Sequence, residues 1–156
     1  MSRFIVFLLL LFVSCDINNS KTDILDDVRS AKSKWDSVNP QNYSYQYQTI
    51  CYCFFTETVR VIVRSDSVID VQNIGTSETI MVDLNGTRIP FHEYAKSSFF
   101  TINDFFARIL VQIPVADEST ADFADKNGMP IQVSFDHIIE AVDDEITYNF
   151  SELQIN

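Results

Sequence analysis

The sequence predicts an α+β domain, an antiparallel sheet of about five or six strands covered on one face by two helices. Two apolar stripes recur at three- and four-residue spacing, over residues 24–38 and 102–113, and each is closed by a proline, Pro40 and Pro114. Between and after them, runs such as Tyr43, Tyr45 and Tyr47 alternate apolar and polar side chains with short spacers, the pattern of an antiparallel meander. The 156 residues are 46% hydrophobic and 13% aromatic, enough to bury one core, and three Gly with four Pro exclude collagen-like and low-complexity architectures.

Residues 1–14 are expected to lie outside that domain. Arg3 precedes an unbroken apolar run over residues 4–13. At about 1.5 Å rise per residue such a run covers only about half of a bilayer's hydrocarbon core, which suits a signal-peptide apolar segment and not a transmembrane helix. The stretch 11–15 resembles the lipobox of bacterial lipoproteins, with Ser14 directly before Cys15 and Phe12 where that family most often has Leu. The resemblance implies cleavage before Cys15, acylation of Cys15 and attachment to a bacterial membrane, with the domain facing the periplasm or exterior. Two acyl chains anchor stably where one does not. Residues 15–22 then read as the lipidated Cys and a polar tether, and 23–156 as the single domain. No later segment is apolar enough to span a membrane.

Residues 23–38 predict an amphipathic helix with Ile24, Val28, Ala31, Trp35 and Val38 on one stripe, stopped at Asn39-Pro40. From Tyr43 the period becomes two. Strands are expected at 43–48, 55–64 and 67–73, with Ser65-Asp66 as the turn between the second and third. Residues 80–84 add a strand that ends at Asn85-Gly86, where Gly supplies positive φ. Thr101 and Asp104 have capping-box spacing and open the second helix. After the Gly128-Met129-Pro130 break, alternation at 131–135 and 145–150 gives two more strands.

Taken together, these pieces resemble a family of uncharacterised bacterial secreted and lipid-anchored domains. The resemblance rests on Trp35, Tyr43-Ser44-Tyr45, Cys51-Tyr52-Cys53, the valine-rich strands at 59–63 and 68–71, the helix entry at 101–106, the Gly128-Met129-Pro130 break and Asp143-Asp144-Glu145. Phe123-Ala124-Asp125 departs from it, standing where a Tyr-Asp pair is expected. The resemblance implies an address and an architecture but no mechanism. At the level of fold the chain is also similar to small periplasmic binding or inhibitory modules, and fold does not imply function.

Twenty-two acidic against eleven basic residues give a net charge of −11. That charge repels phosphate, which argues against nucleic acid and favours a basic protein partner, such as a cationic hydrolase that the domain would inhibit. Cys51-Tyr52-Cys53 is the constellation with most chemical content. In an oxidising compartment the pair is expected to form a disulfide. On a regular strand, residues i and i+2 lie about 6.5–7 Å apart against about 5.5–6 Å for a bridge, so a direct bridge needs a bend at Tyr52. The alternative is a metal-binding or redox-active protein using Cys51 and Cys53, where a tetrahedral soft metal needs two more ligands and His92 and His137 are the candidates. Asp143-Asp144-Glu145 lacks the spaced, Gly-containing loop of an EF-hand and reads as a solvated turn. The stripe Tyr43, Tyr45, Tyr47 is a candidate binding patch if it faces solvent, and core if it lies under the second helix. Phosphate loop, nucleophile elbow and zinc-protease motifs are not found. The sequence therefore favours a non-enzymatic binding or structural module at the cell envelope, with no cofactor.

Overall fold

The computed structural model describes residues 21–53, 56–138, 141 and 143–156. The lipobox and Cys15 lie outside them. The elements in order are α1 (Lys21–Val38), β1 (Asn42–Cys51), β2 (Val59–Arg64), β3 (Ser67–Asn73), β4 (Met81–Leu84), β5 (Thr87–Pro90), α2 (Phe91–Tyr94), a 3₁₀ turn (Lys96–Ser98), α3 (Ile102–Gln112), β6 (Glu118–Phe123), β7 (Pro130–Asp136) and β8 (Ile146–Ile155).

Six strands form one antiparallel sheet in the order β3-β2-β1-β8-β7-β6, and β4 with β5 forms a separate two-stranded sheet. The α+β class is therefore present with six strands in the main sheet. The two-residue turns follow from backbone sterics: Ser65 and Asp66 both take positive φ (47° and 57°), as do Asn85 and Gly86 (54° and 84°). Such turns match the right-handed twist of the strands they join. Three features depart from the expectations. Residues 81–84 pair with β5 outside the main sheet, and the Ile80 N–H just before them donates to the Val71 carbonyl of β3 at 2.9 Å. The polar stretch 118–123 is an edge strand, and β8 continues to Ile155 through a register shift against β1.

The central strand β1 explains the core. Tyr43, Tyr45 and Tyr47 are at most 4% exposed, so this stripe is packed interior and not the solvent-facing patch considered from sequence. Trp35 of α1 meets Tyr43 edge-on at 5.3 Å, and Phe105 of α3 lies 4.6 Å from Phe150 of β8. Buried side chains of α1, α3, β1, β2, β7 and β8 form one cluster. Burying three phenols demands partners for their hydroxyls. Tyr43 accepts a hydrogen bond from the backbone N–H of Ile102 at 2.9 Å, one of the orphan donors at the start of α3. Tyr45 donates to the carbonyl of Phe100, and Thr49 donates to Tyr47 at 2.8 Å. Two tyrosines thus tie the entry of α3 to the middle of the sheet.

That entry is also capped locally. Thr101 accepts from the Asp104 N–H at 3.0 Å while the Asp104 carboxylate accepts from the Thr101 N–H, a reciprocal capping box. At the other side of the core, the turn between β6 and β7 reaches the backbone of α1. A Cβ added to Gly128 would lie 2.0 Å from the carbonyl oxygen of Ala31, and Gly128 has φ +72°. Only glycine allows this approach.

Candidate functional site

Where β1 ends at Cys51 and β8 begins at Ile146, the end of the sheet, the α2–3₁₀ segment and α3 enclose a cleft of about 380 Å³. Its walls come from four places. Strands β1 and β8 contribute Tyr47, Thr49, Cys51, Ile146 and Tyr148, and the 91–100 segment contributes Phe91, Tyr94, Ser97, Ser98, Phe99 and Phe100. Helix α3 adds Arg108, and Cys53 forms part of the lip. The wall is mostly aromatic because the alternation that buries Tyr47 and Tyr148 brings rings to the end of the sheet, and Phe99-Phe100 crosses them before Thr101 caps α3. Phe99 and Phe100 stand edge-on to Tyr47 at 6.1 and 6.5 Å.

Arg108 is the one charged residue on this wall among the described residues. Its guanidinium carbon sits 4.9 Å above the Phe100 ring and 5.7 Å from the Tyr148 centroid, a cation–π arrangement that fixes its position. Its Nε is buried without a hydrogen-bond partner, and among the described residues no carboxylate is in ion-pair range of it. Burial raises the Tyr148 phenol above its usual value and the charge and hydrogen bonding of the neighbouring Arg108 partly offset this, so Tyr148 is neutral at ordinary pH. Burial likewise raises Tyr43, Tyr45 and Tyr47.

Cys51 and Cys53 are joined by a disulfide across a bend that brings their Cα atoms to 5.1 Å, inside bridging range. A bridged pair offers no thiolate to a metal. A second hollow of about 280 Å³ shares Cys51, Cys53, Arg108, Ile146 and Tyr148 with the cleft and adds His137, Asp143, Asp144 and Glu145 among others. The structure thus gathers His137 and the acidic run beside the cysteines, but among the described residues no three His, Cys, Asp or Glu side chains are placed to hold a metal ion. His137 lies near-parallel to Phe135, with ring centroids 6.2 Å apart. His92 lies elsewhere, on a hollow with Asp66, Lys96 and Asp104. Of the tyrosine stripe only Tyr47 reaches the cleft wall.

The residue that sequence reasoning passed over is Arg108. It falls on the helical stripe region between Phe105 and Ile109, where a single basic residue reads as an ordinary solvated charge. Its partners Phe100 and Tyr148 are 8 and 40 residues away in sequence, and only the folded chain places them together.

Fold and site define an α+β domain with a six-stranded antiparallel sheet and an aromatic cleft at one sheet end. Residues 27–155 match a family of unknown function (DUF6174), and the chain belongs to that family. No curated protein and no solved structure matches it. Among the described residues no helix is long and apolar enough to cross a membrane.

Proposed function

We propose that this chain is a cell-envelope protein anchored through acylated Cys15, and that its domain is a binding module without catalytic chemistry. On this reading α1 and α3 are the layer that covers the tyrosine face of the sheet, leaving the end of the sheet open as the binding recess. The observation that carries the reading is the aromatic cleft. Its volume of about 380 Å³ falls in the range of small-molecule sites, and its walls combine a few polar groups with an apolar majority. Phenyl and phenol rings with one guanidinium hold a ligand; neither histidine lines the recess.

The test uses an uncharged apolar probe, 2-naphthamide, added to the full chain during thermal melting. Binding in the cleft raises the melting temperature, and Ser98→Trp, which fills the recess from an exposed wall position, removes the rise. An equal rise in Ser98→Trp, or none in the parent chain, contradicts the cleft as a binding site. Anchorage is tested by membrane fractionation in a bacterial host, where Cys15→Ala should release the chain; retention of the variant on membranes contradicts it. The net charge of −11 supports a basic protein as macromolecular partner, with affinity that falls as salt rises. A salt-insensitive complex would count against that.

A further inference from the structure

We propose that the cleft selects a small molecule with a flat apolar body and a carboxylate, the carboxylate being held by the guanidinium of Arg108. The inference rests on the reading of the cleft as a binding site and names what that site takes.

Charge is the first argument. A chain of net charge −11 repels anions over most of its surface. The cleft wall reverses this locally, with one cation and no carboxylate among its described residues. The state of Arg108 points the same way. Its Nε donor is buried with no partner, and no described carboxylate pairs with it. The guanidinium is half-buried with that one donor unmet, and an incoming carboxylate that takes Nε together with a terminal N–H makes a planar two-point hydrogen bond. Lysine could not present that fork.

The guanidinium is also pre-organised. Phe100 and Tyr148 flank the guanidinium at 4.9 and 5.7 Å, so little side-chain freedom remains to be lost when a ligand arrives. The same two rings, with Phe99 and Tyr47, offer flat faces and edges to the rest of the ligand. Aromatic walls favour a flat apolar body over a sugar, whose hydroxyls would need more polar partners than Thr49, Ser97 and Ser98 supply. Burial keeps the Tyr148 phenol protonated, so it does not compete as an anion for Arg108.

The experiment compares 2-naphthoate with 2-naphthamide, equal in shape and different in charge, by isothermal titration of the full chain. The expected result is that naphthoate binds about tenfold or more tightly than the amide, as a charge-assisted bidentate contact requires. Arg108→Gln should bring the two affinities together. Arg108→Lys should keep the sign of the preference and reduce its size, and melting curves verify that both variants fold. Should Arg108→Gln fail to fold, the parent chain and Arg108→Lys still decide the matter. Equal affinities in the parent chain overturn the proposal, and so does a preference that survives in Arg108→Gln. Binding of the amide without charge preference leaves the cleft standing as a site and removes only the ligand class. Absence of binding by either probe removes both.

Discussion

At the scale of single residues, the sharpest constraint is Gly128. Two independent costs meet there: a positive φ of 72°, and a Cβ position 2.0 Å from the Ala31 carbonyl oxygen and 2.8 Å from its carbon. Both obstacles are helix backbone, which cannot rotate aside. Gly86 provides the comparison, since its φ is +84° but nothing lies within 4 Å of its Cβ position. Gly86→Ala should therefore cost only the left-handed backbone penalty of about 1–2 kcal/mol, whereas Gly128→Ala adds displacement of α1 and should exceed it by about 1–3 kcal/mol. Denaturant unfolding of the two variants measures the difference; equal losses would mean that the turn does not press on α1. The Gly128-Met129-Pro130 break was legible as a break. Its contact with Ala31 was not, because nothing in a turn sequence tells which helix, 97 residues earlier, it will touch.

Among the elements, α3 depends on devices at its first turn. Thr101 is 1% exposed, and its side chain completes the capping box with Asp104. Thr101→Ala should cost about 1–2 kcal/mol, at the upper part of the range for caps because the freed N–H has little access to water. A loss well under that in denaturant unfolding would mean that the Tyr43 and Tyr45 hydroxyls alone hold the entry of α3. Both long helices, the β1–β2–β3 meander and the capping box were legible, since each is written in local spacing of apolar, hydroxyl and acidic residues. The elements that were not legible share one property: their apolar content is thin. Glu118–Phe123 buries no residue fully, alternating exposed and half-buried positions as an edge strand does. The end of β8 reads Ser151-Glu152-Leu153, with Glu152 at φ +48° where the register against β1 shifts. A bulge breaks the two-residue period on which strand reading relies. The cleft was illegible for a further reason, since Phe100, Arg108 and Tyr148 come from the connection before α3, from α3 and from β8.

For the whole molecule, the buried phenols couple stability to alkaline pH. Tyr43, Tyr45, Tyr47 and Tyr148 are all raised in the folded chain, with burial the largest cause for each. In the unfolded chain a tyrosine ionises near the ordinary value of about 10. Below that pH both states keep their protons and the contribution is complete. Above it the unfolded chain releases protons that the folded chain retains, so stability falls as pH rises from about 10 toward the raised folded values. The phenolate absorbance of these four tyrosines should grow together with loss of circular dichroism, as one transition. Phenolate absorbance that reaches the level of all six tyrosines while the dichroism is unchanged would contradict the burial of the stripe. At this scale the acidic balance and the α+β class were open to reading from composition and period. The site was not, because its charge is opposite in sign to that of the chain around it.

The claim on which the account turns is that the cleft at the Cys51 end of the sheet binds through Arg108. A crystal structure of the full chain with 2-naphthoate tests it most directly. The account predicts the naphthalene rings against Phe100 and Tyr148 and the carboxylate on the Arg108 guanidinium at hydrogen-bond distance, about 2.7–2.9 Å. Naphthoate seated away from the cleft, or in it with its carboxylate turned from Arg108, would contradict the account.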